Sequence, residues 1–160
     1  LMESNCVSRT DMTQLTDHFS LAELTFSQTA ERRGIYNQPG HDERANLLRL
    51  ARRLEEVRAA CGNRPVIITS GFRCAELNAA VGGAKTSAHI SGRAADIKVV
   101  GMTVIEVAVA IERNRINFDQ MIHEGTWLHF AIERLESTPR RQIMSATFSG
   151  GKATYREMPV

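Results

Sequence analysis

Ser87-Ala88-His89-Ile90-Ser91-Gly92-Arg93-Ala94-Ala95-Asp96 places a histidine and a carboxylate in one short segment. As straight strand, this spacing would hold the two side chains ~23 Å apart at ~3.3 Å per residue, and as helix ~10 Å apart at ~1.5 Å per residue. Neither lets both touch one ion. A reversal at Ser91-Gly92, where glycine tolerates positive φ, brings imidazole and carboxylate within the ~4 Å that two ligands ~2 Å from a shared ion require. The segment therefore reads as a turn feeding a strand over 94–100. A third ligand has to come from elsewhere, and His129 in Trp127-Leu128-His129 is the candidate.

Upstream of this turn, Val66-Ile67-Ile68-Thr69 is a β-branched run that predicts a buried strand ending at Ser70-Gly71 and delivering Phe72-Arg73. A short helix over 74–81 follows, and Gly82-Gly83 opens the loop that carries His89. Leu47, Leu50, Ala51, Leu54 and Val57 recur at helical spacing and predict a helix over 42–60 whose arginines form a solvated face. Ser20 to Glu23 has the capping-box form and Gly34 stands where a helix stops, predicting a helix over 21–33. Asn37-Gln38-Pro39-Gly40 is a loop. Downstream, the capping box Thr103 to Glu106 opens a helix over 104–114. Strands over 118–122 and 127–132 are joined by His123-Glu124-Gly125-Thr126, and a last hairpin over 148–155 turns at Gly150-Gly151. Helices first and strands clustered later predict an α+β domain, a small, mainly antiparallel sheet packed with helices.

The chain has 160 residues, 42% of them hydrophobic, enough for one domain burying about 70% of its unfolded surface. A net charge of +2, with arginines interleaved among acids, gives no nucleic-acid footprint. No run approaches the ~18 apolar residues of a membrane span, and the first thirty residues lack the order of a signal peptide. Residues 1–11 read as a leader or disordered arm, with the domain over 12–160. The odd set Cys6, Cys61 and Cys74 argues against a disulfide framework. Free thiols are the default; a Cys61–Cys74 bridge, worth about 3 kcal/mol, is the alternative.

Ser70-Gly71-Phe72-Arg73, Leu77-Asn78 with Val81-Gly82-Gly83, the stretch from Ser87 to Asp96, Phe118-Asp119-Gln120 and Trp127-Leu128-His129 occur in one order. Together they resemble the zinc D-Ala-D-Ala carboxypeptidases, a lineage that includes the vancomycin-resistance dipeptidases and phage L-alanyl-D-glutamate endolysins. The stretch from Phe19 to Tyr36 and Arg140-Arg141-Gln142 resemble small phage- or prophage-borne members. The resemblance implies a Hedgehog/DD-peptidase-like fold with the site at the sheet edge, and one zinc held by His89, Asp96 and His129. Three protein ligands leave a fourth position open, as in catalytic rather than structural zinc sites. His18 and His41 lack such company and read as structural or solvent-facing.

A general base is expected shortly before His129, and His123 and Glu124 stand side by side there; Glu124 is preferred. Arg73, by the resemblance, faces substrate, as its planar fork suits a carboxylate or oxyanion; a pairing with Glu76 is the bland reading. Ser87 hydrogen-bonds substrate or orients a ligand, Trp127 walls the pocket or packs in the core, and Asp119 either orients the site or ends a strand. The expected function is hydrolysis of amide bonds in peptidoglycan stem peptides by a monomeric zinc metallopeptidase, of endolysin or D-Ala-D-Ala carboxypeptidase type. Cytoplasmic storage and release to the cell wall in phage lysis are the expected setting. The rivals are a non-catalytic zinc-bearing binding domain of Hedgehog type and a D-Ala-D-Ala dipeptidase.

Overall fold

The computed structural model describes residues 13–158, so the predicted arm over 1–11 and Cys6 lie outside the described residues. The chain opens with a small hairpin, β1 (Gln14–Thr16) and β2 (Phe19–Ser20), which runs into α1 (Leu21–Thr25) and α2 (Gln28–Arg33). One helix over 21–33 was expected. The structure breaks it because Phe26 is extended (φ −65°, ψ 134°) and the Ser27 side chain accepts from the Ala30 N–H, capping a new helix. Gly34, at φ 65°, ends α2 as predicted.

The long helix α3 (His41–Ala60) buries Leu47, Leu50, Ala51, Leu54 and Val57, the predicted stripe. Its arginines are not all a solvated face: Arg49 and Arg53 lean over the helix flank and both pair with Glu133, at 3.4 and 3.3 Å. Arg53 also donates to the Asn117 carbonyl. His18 pairs with Glu55 at 2.8 Å and His41 is exposed. Both histidines are therefore accounted for without a metal.

The sheet consists of β3 (Val66–Ser70), β4 (Ala94–Val99), β5 (Gln120–His123), β6 (Leu128–Ala131), β7 (Gln142–Ser149) and β8 (Lys152–Glu157). Its order is β3-β4-β6-β5-β7-β8, and every neighbouring pair is antiparallel except β5 with β7. Helices α4 (Ala75–Ala80) and α5 (Val104–Arg113) complete the α+β domain. The predicted buried strand over 66–69 is an edge strand that alternates half-buried and exposed, with Ile67 turned to solvent, because only one of its faces is covered. The last hairpin turns at Gly150 and Gly151, both at positive φ, but starts at Gln142, earlier than its local pattern predicts.

Strand alternation gives the sheet two unlike faces. Ala95, Phe130, Met121 and Ile143 lie side by side across β4, β6, β5 and β7 and pack with the core of α3 and α5. One residue along, Asp96, His129, Ile122 and Met144 form the neighbouring row on the opposite face. Both cysteines among the described residues are free thiols, Cys61 buried and Cys74 half-buried. The Cys74 sulfur serves as the α4 N-cap, accepting from the Leu77 N–H.

Candidate metal centre

The predicted reversal is present. Gly92 sits at φ 72°, the Arg93 N–H donates to the Ala88 carbonyl, and the chain enters β4 two residues before Asp96. A Cβ at Gly92 would also lie 2.6 Å from the Glu43 carbonyl oxygen, so α3 presses on the turn from behind. His89 Nε2 comes to 3.3 Å from Asp96 Oδ1, and His129 Nδ1 to 3.1 Å from the same oxygen. Asp96 and His129 are direct cross-strand partners on β4 and β6. The site was expected at the sheet edge; it is carried instead by the two strands next in from that edge, because the loop bearing His89 folds over β4. Edge strand β3 contributes only its end, Ser70, and the Gly71-Phe72-Arg73 turn beyond it.

The ligand atoms of His89, Asp96 and His129 all lie within 4.8 Å of one another and all three residues are buried. The chemistry of this set fits a cation. The Gly71 carbonyl takes a hydrogen bond from His89 Nδ1 at 2.7 Å, which fixes the ring proton there and turns the Nε2 lone pair toward the Asp96 carboxylate. Two acceptors facing each other need positive charge between them. A second ring proton is disfavoured, since burial pushes the His89 imidazole pKa down. Burial also works against charge on Asp96, but the imidazoles of His129 and His89 beside it outweigh that and hold the carboxyl well below its ordinary range. Two imidazoles and one carboxylate are a zinc-type donor set, and the group can hold one ion.

The adjacent base candidates part company in the structure. His123 pairs with Leu128, so alternation turns it to the helix-covered face, away from His129. Its Nδ1 accepts from the Gly125 N–H at 3.3 Å. Glu124, one residue past β5, takes a 3.0 Å hydrogen bond from Trp127 Nε1. Burial pushes its carboxyl pKa up, and the Asp96 charge pushes it further. Arg73 does not pair with Glu76: its Nε donates to Ser70 Oγ, Nη1 to Asn78 Oδ1 and Nη2 to Asp96 Oδ2 at 3.2, 3.4 and 3.4 Å. Ser87 Oγ accepts from the His89 N–H, shaping the loop that presents the ligand. Asp119 takes four hydrogen bonds from Arg140 and none from the metal group; it ties the start of β7 to β5.

A sequence model of the peptidase M15 family matches residues 17–131, well over half of the chain. The chain belongs to the peptidase M15 family. It is also similar to a zinc D-Ala-D-Ala carboxypeptidase of Streptomyces albus G, 43% identical over 54 residues. That stretch is 34% of this chain and 21% of the relative, so the chain spans about a fifth of the curated protein it matches. In this M15 chain His89, Asp96 and His129 are the group among the described residues that can hold a metal ion.

Around this M15 site two buried asparagines do work that sequence reasoning assigned to no residue. Asn78 donates to the Ala84 carbonyl while accepting from Arg73, and a Cβ at Gly83 would fall 2.1 Å from its Oδ1. The pairing of Leu77-Asn78 with Gly82-Gly83 is thus a packing requirement. Asn37 donates to the carbonyls of Thr25 and Phe72 and accepts from the Cys74 N–H, pinning the Arg73 turn from the far side. Its partners lie 12 to 37 positions away, so no local pattern betrays it. No helix among the described residues is long and apolar enough to cross a membrane.

Proposed function

We propose that this M15 chain is a zinc-dependent peptidase that hydrolyses an amide bond in the stem peptides of peptidoglycan. The observation that carries this reading is a buried His89–Asp96–His129 group with the Glu124 carboxylate beside it. Zinc bound by such a set acidifies water and polarises a carbonyl oxygen.

The remaining work falls to the chain's own residues. Glu124 takes a proton from the attacking water and returns it to the leaving amine, a task that suits a carboxyl whose pKa is raised by burial. Trp127 holds one of its oxygens and leaves the other for the proton. Arg73 commits three of its five N–H groups to Ser70, Asn78 and Asp96, leaving two for a substrate carboxylate or a developing oxyanion. Ser87 positions His89, and Trp127 also walls the cleft.

The substrate class rests on the likeness to the D-Ala-D-Ala carboxypeptidase and on the cationic Arg73, since stem peptides carry D-Ala and D-Glu carboxylates. Mass spectrometry of purified peptidoglycan after digestion tests it. New amino termini in the stem peptides with intact glycan strands are expected. An untouched wall together with tight binding to a protein would favour a non-catalytic zinc-bearing domain instead.

A further inference from the structure

The metal-bearing face of the sheet continues past Glu124 onto the outer hairpin. β7 runs parallel to β5 with Ile122 beside Met144 and His123 beside Ser145, so Ala146 lies level with Glu124. Ala146 in turn pairs with Tyr155 on β8. Alternation then puts Met144, Ala146, Phe148 and Tyr155 on the face that carries Asp96 and His129. Two strand spacings, about 10 Å, separate the line of β5 from that of β8. Only the methyl group of Ala146 stands between them, and Ala146 is buried although β8 is an edge strand. Tyr155, the cross-strand partner of Ala146, therefore stands on the same face as Glu124, two strands away. The electrostatics agree: partial burial and the Glu124 and Asp96 charges push the Tyr155 phenol up, so it stays a protonated donor.

Nothing in the fold uses this donor. Among the described residues the Tyr155 hydroxyl has no hydrogen-bond partner, and the side chain is half exposed. Trp127 and Phe148, ring centroids 6.5 Å apart, continue the same wall. Arg73 lies at the other end of the row, beyond β4, with the metal group and Glu124 between it and the hairpin. The matched family region ends at residue 131, so the hairpin lies outside it.

We infer that Tyr155 is a substrate-binding residue: it donates a hydrogen bond to a backbone carbonyl of the peptide segment that extends past Glu124, on the side away from Arg73, with Phe148 and Trp127 walling that segment. This rests on the stem-peptide reading above. It makes the cleft two-sided, with peptide on both sides of the cut bond.

Steady-state kinetics on a stem pentapeptide test it. Tyr155→Phe keeps the ring and should raise KM roughly three- to tenfold, the worth of one hydrogen bond, with kcat, zinc content and melting temperature retained. Tyr155→Ala should raise KM at least as far. Peptide binding to Glu124→Gln protein, followed by the emission of Trp127, the single tryptophan, should weaken by the same factor when Tyr155→Phe is added. A wild-type protein that cleaves no stem peptide ends the functional reading and this inference with it. Wild-type cleavage, with unchanged KM and unchanged binding in both Tyr155 variants, overturns the inference alone.

Discussion

Ala95 and Phe130 face each other across β4 and β6, and so do Asp96 and His129 one residue along; all four are buried, yet the two pairs do opposite things. Ala95 and Phe130 point into a core closed by α3 and α5, where the requirement is apolar volume at close packing. Asp96 and His129 belong to a polar group held in place by particular neighbours: Gly71 behind His89, and Arg73, His89 and His129 around Asp96. Burial alone therefore does not identify a site. What separates the faces is whether the buried atoms are interchangeable, and substitution should reveal that separately in activity and in stability.

The largest effect should come from the metal face. Glu124→Gln should lose on the order of 10²–10⁴-fold in turnover while keeping zinc and melting temperature, because only proton transfer is removed. His123→Ala, on the helix-covered face, should stay within about threefold of wild type in the same assay. The reverse order of damage would move the base to His123. On the core face, Phe130→Ala should lower stability to urea by about 3–5 kcal/mol through the cavity it opens. A loss below ~1 kcal/mol there would mean that this face is less tightly packed than its neighbours indicate. Arg73→Ala should cut turnover about 10- to 100-fold, the range for hydrogen bonds to a charged acceptor, without emptying the metal site.

The smallest predicted effect concerns neither pair. Hydrogen bonds from Arg140 outweigh the burial of Asp119 and hold its carboxyl below the ordinary range. A depressed folded-state pKa gives stability that is present above the unfolded value, near 3.8, and is lost as pH falls through the folded one. Asp119→Asn should therefore cost about 1 kcal/mol at pH 7, modest because Arg140 is solvent-screened, and the difference from wild type should fade below about pH 4. A gap that persists at pH 3 would show that Asp119 acts by shape and not by charge.

The central turn was legible because one glycine and two ligand-type residues at fixed spacing admit few geometries, and α3 because its apolar stripe is long and regular. The break at Phe26–Ser27 was hidden: Ser27 is both a tolerable helix residue and a good N-cap, and the choice is made by contacts with the rest of the fold. Which face of the sheet His123 and Glu124 take is set by cross-strand register, which adjacent residues do not encode. The parallel pairing of β5 with β7 and the pull of Glu133 on Arg49 and Arg53 likewise join distant segments. Asp96 and His129 stand in motifs with ligand chemistry; Asn78 stands in a motif too, but its scaffold role did not show there, and Asn37 reads only as part of a loop.

Zinc stoichiometry tests the central claim most directly. Protein stripped of metal, reloaded with zinc and freed of excess should carry one zinc per chain by elemental analysis, and a His89→Ala, His129→Ala double variant treated identically should carry none. Stoichiometric zinc surviving in that folded double variant would contradict the account.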